Sequence, residues 1–336
     1  MKRITHVMRS PVVGGSELET LEITRSLDMF RHRIVFPREF ADWTPTILDR
    51  FGADVSIEVV DELNARLAAA ADEIIHIQFP FVVAPGYGMH ESVLVLWRMP
   101  PVPTVFTVHA AVNVPVVDGI DYIFHTDALA RRFADRLARE RVTVCPSLVR
   151  PLLVDGSERG GDGRARPPRV LWVSRNEDAK FHPQIPEIIA RVLSLAPNAE
   201  FRFVGAPAGL RLDIDPRVSV TPCPAADLEA EYRQADVFWH FPHPRLEETW
   251  CRTVTEAMGA GLPCVVAAHG AMRTQVADGV TGFVVATPEA CAEALAELVR
   301  SAGGRAAMGS AASRRATAFY ESARGVLGEL YSKLMV

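Results

Sequence analysis

The chain has 336 residues, more than one hydrophobic core usually organises, so its length favours two domains of about 150 to 170 residues. Hydrophobic residues make up 49% and charged residues 23%, which excludes a disordered chain and a coiled coil. The formal charge of -5 gives no general electrostatic reason to bind nucleic acid or anionic lipid, and we expect neither as a partner.

The cysteine pattern and the lengths of the apolar runs indicate the cellular compartment of the chain. The five cysteines are widely spaced and include no CxxC pair, which favours reduced thiols over a disulfide framework or a zinc site. The first fifteen residues lack the apolar segment of a signal peptide, and no apolar run approaches the length of a membrane span. We therefore expect a cytoplasmic protein without a transmembrane segment.

In the first half, short β-rich runs alternate with helical patterns, in the order expected of parallel βαβ units. The predicted strands are 4–8, 33–36, 57–60, 74–79, 104–108, 122–125 and 142–145, and the predicted helices include 17–30 and 62–71. Residues 155–168 are dense in glycine, proline and charge, which marks an exposed linker. We therefore assign residues 1–154 to one doubly wound domain.

The same alternation restarts after the linker. The predicted strands are 169–174, 201–204, 218–221, 237–241 and 263–267, and the predicted helices are 185–195, 227–234 and 249–258. From Pro288 the chain is mostly helical, with Thr287 as the predicted N-cap. We assign 169–312 to a second domain and 313–336 to a helical segment expected to pack back on the first.

The first candidate site follows the first strand, where Gly14 and Gly15 precede a helix. Backbone N–H groups at a helix N-terminus favour a phosphate because of the helix dipole and their free donors. Ser16 and Glu19 have the spacing of a capping box, which alone would explain the pattern. The residues leave both interpretations open.

The second candidate is a pair of cations, Arg175 and Lys180, after the first strand of the second half. Ligands of open α/β sheets bind at the carboxyl ends of the strands, and two cations there suit a diphosphate. The alternative is a solvated loop in which Glu177 and Asp178 neutralise the cations.

The third candidate is the pair Glu248 and Glu256, predicted to lie on one helix or at its start. Eight residues at helical rise place the carboxylates about 12 Å apart, too far for the acid and base of a glycoside hydrolase. Such a spacing suits hydroxyls at opposite ends of one long ligand. The alternative is a helix-dipole partner at Glu248 and an ordinary helix-face acid at Glu256.

Together, three segments resemble the retaining GT-B glycosyltransferases of the family 4 type: Gly-Gly-Ser-Glu after the first strand, Ser-Arg-x4-Lys opening the second half, and Glu-x7-Glu-Ala-Met-x-Ala-Gly-Leu-Pro. The resemblance covers nearly the whole chain in order and is strongest over 237–285. It implies an α/β fold with two facing Rossmann-like domains and a cleft between them. The first domain would bind mainly the acceptor, and the second the nucleotide sugar.

The resemblance also implies roles for single residues. His109, Arg175, Lys180 and Glu248 would be catalytic: the two cations hold the diphosphate, and His109 and Glu248 reach the donor sugar. Glu256 would bind the ribose hydroxyls. The remaining donor-binding residues would be Gly14, Gly15, Thr249, Trp250, Cys251, Thr253 and Val254.

The sequence departs from the family pattern in three places. Many members have Gly-Phe-Gly where this chain has Thr249, Trp250 and Cys251. The larger side chains narrow the expected pocket, so the identity of the transferred sugar stays open. Ala110 replaces an acid often found after the histidine, which weakens a general-base role there. The chain is also short for the family, with an apparently trimmed first domain.

The implied reaction transfers a hexosyl group from a nucleoside diphosphate sugar to a hydroxyl or other nucleophile of a small metabolite or glycan, with anomeric retention. We expect UDP or GDP as the nucleotide of this co-substrate, and no cofactor. The alternatives are a nucleotide-sugar epimerase of the same architecture and a catalytically silent GT-B partner subunit. A lipid-linked acceptor at a membrane surface is not favoured, because the arginines of 131–141 alternate with acids.

We also expect no metal. Asp213 and Asp215 satisfy the DxD pattern that binds a divalent metal in GT-A enzymes, but they precede a proline in a predicted turn. His240, His243 and Cys251 form a second possible ligand set, yet prolines interrupt it and no ligand spacing repeats.

Overall fold

The computed structural model describes residues 3–9, 14–38, 47–84, 94–110, 114–152, 166–212, 214–223 and 227–336. Contacts divide the chain into two compact units, one comprising Met1–Val149 with Phe319–Val336 and the other comprising Arg150–Ala318. Residues 155–165 of the predicted linker lie outside the described residues, so the linker stays a prediction. None of the described helices is both long and apolar enough to cross a bilayer.

The described part of the first unit contains a seven-stranded parallel sheet in the order β3-β2-β1-β4-β7-β8-β9. The strands of this sheet are β1 (Arg3–Val7), β2 (Arg31–Pro37), β3 (Ser56–Val60), β4 (Glu73–Ile77), β7 (Thr104–Thr107), β8 (Asp121–Phe124) and β9 (Val142–Val144). This unit also contains β5 (Phe81–Val83) and β6 (Leu94–Leu96), which pair with each other in a separate sheet. Its helices are α1 (Gly15–Ser26), α2 (Leu63–Ala68) and α3 (Asp127–Arg131). Because both faces of a parallel sheet are covered, central strands such as β4 are buried at every position.

The two faces of this sheet have separate cores. Ile23 and Leu27 of α1 pack with Leu327 and Tyr331, which belong to the C-terminal end of the last helix. Residues of α2 and α3 pack on the other face. The chain therefore returns to the first unit after completing the second.

The described residues of the second unit form a six-stranded parallel sheet in the order β12-β11-β10-β13-β14-β15. Its strands are β10 (Arg169–Val173), β11 (Glu200–Val204), β12 (Val218–Thr221), β13 (Val237–His240), β14 (Cys264–Ala267) and β15 (Gly282–Val285). The helices are α4 (Ile185–Leu195), α5 (Leu228–Gln234), α6 (Arg252–Gly259), α7 (Met272–Gln275), α8 (Pro288–Arg300) and α9 (Ala302–Leu334). The strand order reverses between β10 and β13, where doubly wound sheets bind ligands.

Buried tryptophans hold the two strands at this reversal. Trp172 of β10 and Trp239 of β13 are fully buried, and their rings meet edge to face with centroids 5.1 Å apart. Aromatic pairs in this geometry add stability beyond the area that they bury. The strand ends that carry the candidate site therefore rest on a rigid core.

The strands and helices predicted within the described residues are present, but two expectations about helix starts are wrong. Thr287 is confirmed as the N-cap of α8, since its side chain accepts a hydrogen bond from the Ala290 N–H. The capping-box alternative at Ser16 and Glu19 is wrong because α1 already begins at Gly15, which places Ser16 inside the helix, where its hydroxyl donates to Glu17. The helix predicted from residue 249 begins at Arg252.

Candidate functional site

Three side chains meet at the carboxyl edge of the second sheet. Lys180 ends a short turn after β10, His240 is the last residue of β13, and Glu248 lies in the loop before α6. The Lys180 ammonium donates to Glu248 Oε1 at 2.5 Å, and His240 Nε2 lies 3.8 Å from the same oxygen. The sequence predicted Lys180 and Glu248 as separate site residues, and the structure brings them into direct contact at the strand reversal.

Charge pairing shifts the pKa values of this cluster. Burial by itself would raise the pKa of the Glu248 carboxyl, but His240 and Lys180 lower it to about 2. Burial would likewise lower the pKa of His240, yet its interactions with Cys251 and Glu248 raise it to about 9. At neutral pH the cluster therefore holds an ionised carboxylate between two cations.

The loop that carries Glu248 is fixed by a buried glutamine. Gln275 of α7 accepts a hydrogen bond from the Cys251 N–H at 3.0 Å, and its amide donates to the Cys251 carbonyl and the Thr255 hydroxyl, both at 2.8 Å. The indole of Trp250 donates to the same hydroxyl at 3.0 Å. Because Gln275 satisfies both backbone groups of Cys251, that residue stays extended and caps α6.

A close backbone approach holds the other end of this loop. The Ala271 N–H donates to the Glu248 carbonyl at 2.9 Å, and Gly270 precedes it with a φ of 60°. A Cβ at Gly270 would lie 3.0 Å from the Glu248 carbonyl oxygen, so this position requires glycine both for its conformation and for space. Glu248 thus precedes α6, and the helical estimate of 12 Å between the two glutamates does not apply.

Glu256 lies inside α6 and has two partners of its own. Arg252 donates to Oε1 at 2.7 Å, and the Tyr232 hydroxyl donates to Oε2 at 3.0 Å. Each carboxylate oxygen can accept a further hydrogen bond. Thr253 and Val254 lie in the first turn of this helix, where N–H groups have no acceptor within the helix.

Arg175 does not share the environment of Lys180. Its side chain is 64% exposed and pairs with Glu177 at 3.2 Å, which is the alternative that the sequence left open.

Asp215 of the DxD pattern pairs with Arg217, while Asp213 lies outside the described residues. The Arg217 hydrogen bonds lower the pKa of Asp215 to about 2.

The candidates of the first unit lie on α1 and after β7. Gly14 is the N-cap of α1 and Gly15 its first residue, so the N-cap residue supplies no side-chain hydrogen bond to this helix end. Among the described residues, no atom lies within 4 Å of the position that a Cβ at Gly15 would occupy. His109 follows β7, and its Nε2 lies 3.0 Å from the Gln78 amide oxygen.

Sequence reasoning missed Gln275, Tyr232 and the role of His240. It considered His240 only as a metal ligand together with Cys251 and His243. In the structure Glu248 joins His240 and Cys251 instead, with ligand atoms within 4.8 Å of one another. A histidine at a strand end was the available signal, whereas Gln275 and Tyr232 had none, because both act on a helix distant from them in sequence.

The pKa shifts of His240 and Glu248 predict how the stability of the second unit depends on pH. The folded pKa of His240 exceeds its usual value, so its contribution is complete below about pH 6.5 and is lost as pH rises through about 9. We expect the free energy of unfolding of the second unit to fall by about 3 kcal/mol over this range, which urea unfolding would show as a lower midpoint. A flat midpoint between about pH 6 and 10 would contradict the charged His240. His240→Gln should abolish this dependence and also reduce the acid loss caused by Glu248, because His240 is one of the two partners that lower the Glu248 pKa.

The two parallel sheets, each in its own unit, define an α/β protein with two Rossmann-like units, and the similar solved structures are GT-B glycosyltransferases. The Anabaena protein Alr3699/HepE in complex with UDP and glucose aligns with 99% of this chain and 100% of that chain, with a TM-score of 0.72 and 18% identity. S. aureus TarM, as a mutant in complex with Fondaparinux, alpha-GlcNAc-glycerol and UDP, aligns over 100% of both chains with a TM-score of 0.74 and 10% identity. These similarities confirm the predicted fold class.

Sequence similarity points to a particular family. Residues 167–301 match the model of the group 1 glycosyl transferases. A D-inositol 3-phosphate glycosyltransferase of Frankia alni is 31% identical over 194 residues, 51% of this chain and 46% of the relative. The corresponding protein of Corynebacterium efficiens is 26% identical over 333 residues, 81% of this chain and 77% of the relative. The chain thus spans about half the length of the Frankia relative, and its second unit is related to the group 1 glycosyltransferases.

Proposed function

We propose that this protein is a retaining glycosyltransferase of the family 4 type that transfers a hexosyl group from a nucleoside diphosphate sugar to an acceptor hydroxyl. The observation that carries the proposal is the Lys180–Glu248 ion pair at the strand reversal, within the segment that matches the group 1 family. A cation there suits a diphosphate, and a carboxylate suits sugar hydroxyls.

In this proposal Lys180 and Arg175 bind the diphosphate. Lys180 is largely buried and held at the strand edge, so it acts as a fixed point charge. Arg175 reaches the phosphates by exchanging its exposed contact with Glu177, which costs little because surface ion pairs contribute about 0–1 kcal/mol. The N–H groups of Thr253 and Val254 add donors at the N-terminus of α6.

The two acids hold opposite ends of the donor. Glu248, ionised and fixed by Lys180, accepts hydrogen bonds from the transferred sugar. Glu256 accepts the ribose hydroxyls on lone pairs that Arg252 and Tyr232 leave available. Thr249, Trp250 and Cys251 are buried at 4–8% exposure and shape the wall beside the sugar.

The reaction needs no nucleophile from the protein. The bond from the anomeric carbon to the diphosphate oxygen breaks while the acceptor oxygen bonds to the same face. The departing phosphate takes the acceptor proton. Negative charge grows on the leaving diphosphate, so Lys180, Arg175 and the α6 amides stabilise the transition state more than the ground state.

The nucleotide is tested by a thermal-shift screen of the full chain against UDP, GDP, ADP and TDP. We expect UDP to give the largest increase in Tm, since both solved relatives contain it and since a ligand of the native state raises its stability. The absence of any shift at millimolar nucleotide would overturn the proposal.

D-inositol 3-phosphate is the first acceptor to test because it gives both sequence relatives their name.

Glu256→Ala tests the ribose contact. Loss of hydrogen bonds to a charged acceptor should weaken UDP binding about 10- to 100-fold in calorimetry. Glu293→Ala is the matched control because Glu293 also pairs with an arginine, Arg191, but on an exposed helix face. Equal UDP affinities for the Glu256 variant and the control would remove Glu256 from the donor site.

A further inference from the structure

The short helix α7 holds the loop before α6 at two points. At the N-cap of α7, the Ala271 N–H donates to the Glu248 carbonyl at 2.9 Å. At the last residue of α7, the Gln275 side chain binds the N–H and the carbonyl of Cys251. The position of Glu248 therefore depends on where α7 lies.

The length of α7 gives it little stability of its own. It spans four residues, Met272–Gln275, and a first helical turn fixes more backbone freedom than its hydrogen bonds offset. The last carbonyls of any helix also have no donor within that helix. A partner outside α7 is therefore needed to fix both the helix and the loop that it holds.

Arg315 of α9 provides this partner. Its Nε donates to the Gln275 carbonyl and its Nη2 to the Thr274 carbonyl, both at 2.7 Å. The guanidinium binds two successive carbonyls as a fork, and a cation suits the C-terminal end of a helix. Arg315 thus holds the backbone of Gln275, the residue whose side chain holds Cys251, so the two contacts act in series.

The part of α9 that carries Arg315 is packed closely against the neighbouring helix ends. A Cβ at Gly309 would lie 2.2 Å from the Gly261 carbonyl oxygen, so the backbone of α9 lies directly against the turn after α6. The Ser313 hydroxyl donates to the carbonyl of Gly259, the last residue of α6, at 3.4 Å. α9 therefore contacts the C-terminal ends of both helices that flank the Glu248 loop.

The preceding arginine of α9 makes a different contact. Arg314 is exposed, and its Nη1 donates to the Ser310 hydroxyl at 2.7 Å, one turn earlier in the same helix. This bond stays within α9, whereas the fork of Arg315 reaches α7. Arg314 is therefore a matched control for a substitution at Arg315.

We propose that Arg315 is a positioning residue for sugar transfer, which holds Glu248 and the first turn of α6 in place through α7. This inference rests on the proposed function, in which Glu248 binds the transferred sugar. Misplacing a reacting group by about 1 Å can lower a rate about 100-fold, even when the substitution lies far from the chemistry. Arg315 acts in this way, through the backbone of Gln275.

Substitution of Arg315 should affect turnover more than nucleotide binding. For Arg315→Leu we expect kcat for release of UDP from a UDP-sugar to fall about 10- to 100-fold relative to Arg314→Leu. The affinity for UDP in calorimetry should change by less than about threefold, because UDP lacks the sugar that Glu248 binds. Arg315→Lys, which keeps the charge and can donate to both carbonyls, should retain more activity than Arg315→Leu.

Hydrogen–deuterium exchange of the full chain tests the same contact without substrate. Amides of residues 248–252 should exchange faster in Arg315→Leu than in Arg314→Leu, while the strands of the second unit keep their protection. Circular dichroism confirms that each variant is folded. If Arg315→Leu does not fold, the same comparisons are made with Arg315→Gln, which removes the charge and the fork.

The proposal is overturned if loop exchange or kcat is the same in the Arg315 and Arg314 variants. It is also overturned if exchange rises throughout the second unit while kcat and UDP affinity fall together, because Arg315 would then have a structural role alone. If the parent chain releases no UDP, the proposed function fails and the role in transfer fails with it. Exchange still decides in that case whether Arg315 holds the loop.

Discussion

Lys180→Ala should reduce sugar transfer at least tenfold while the chain remains folded. Preorganised charges that stabilise developing negative charge in a water-excluded site contribute about 10²- to 10³-fold to kcat, and Lys180 is the buried cation at the proposed diphosphate position. The fold should survive because Glu248 keeps His240, whose pKa of about 9 leaves it charged at neutral pH.

The assay measures release of UDP from a UDP-sugar, alongside UDP affinity by calorimetry. Lys333→Ala is the matched control, since Lys333 is an exposed lysine near the end of α9. A rate for Lys180→Ala close to that of the control would remove Lys180 from the reaction. A lower rate with unchanged UDP affinity would place its contribution in the transition state.

Gln275→Leu should destabilise the second unit by about 3 kcal/mol or more. The substitution keeps most of the side-chain volume but leaves the Cys251 N–H without its acceptor, in a region where Gln275 itself is fully buried. It also removes one of the donors to the Cys251 carbonyl and to the Thr255 hydroxyl. Each buried polar group left unsatisfied costs about 1–3 kcal/mol.

Urea unfolding measures this effect, with Gln184→Leu as the control. Gln184 lies at the exposed N-cap of α4 and makes no capping bond, so its replacement should change the free energy of unfolding by less than about 0.5 kcal/mol. Equal midpoints for the two variants would show that Gln275 does not hold the loop before α6. Because that loop carries Glu248, we also expect Gln275→Leu to lose transferase activity.

Much of the fold could be predicted from local patterns. Strands such as β14 are continuous apolar runs, and the alternation of strands with helices favours parallel pairing and crossovers. The N-cap at Thr287 was equally local, because a threonine hydroxyl needs only the N–H three residues later. The short pair β5 and β6 was not predicted, since three apolar residues resemble many loop segments.

Local patterns failed where a distant partner changes the local preference. Ser16 and Glu19 match a capping box, yet Glu19 turns inward to the Leu148 N–H, which is 129 residues away. The helix predicted from residue 249 begins only at Arg252, because Gln275 holds Cys251 in an extended conformation. In both cases tertiary hydrogen bonds outweigh the sequence signal.

The sequence alone determined the α/β class, and it supplied the residues that we propose for a diphosphate and for sugar hydroxyls, because residue type and strand-end position are local properties. Only the tertiary structure decided which of these residues meet. Lys180 and Glu248 are 68 residues apart, and strand order brings them into contact, whereas Arg175, only five residues from Lys180, faces solvent. The approach of Glu19 to His109 and His125, at 3.7 and 3.5 Å, likewise depends on the pairing of β7 with β8, the strands that the two histidines follow. In a parallel sheet, strand order and register place such ends together, and no local pattern of the sequence encodes that order.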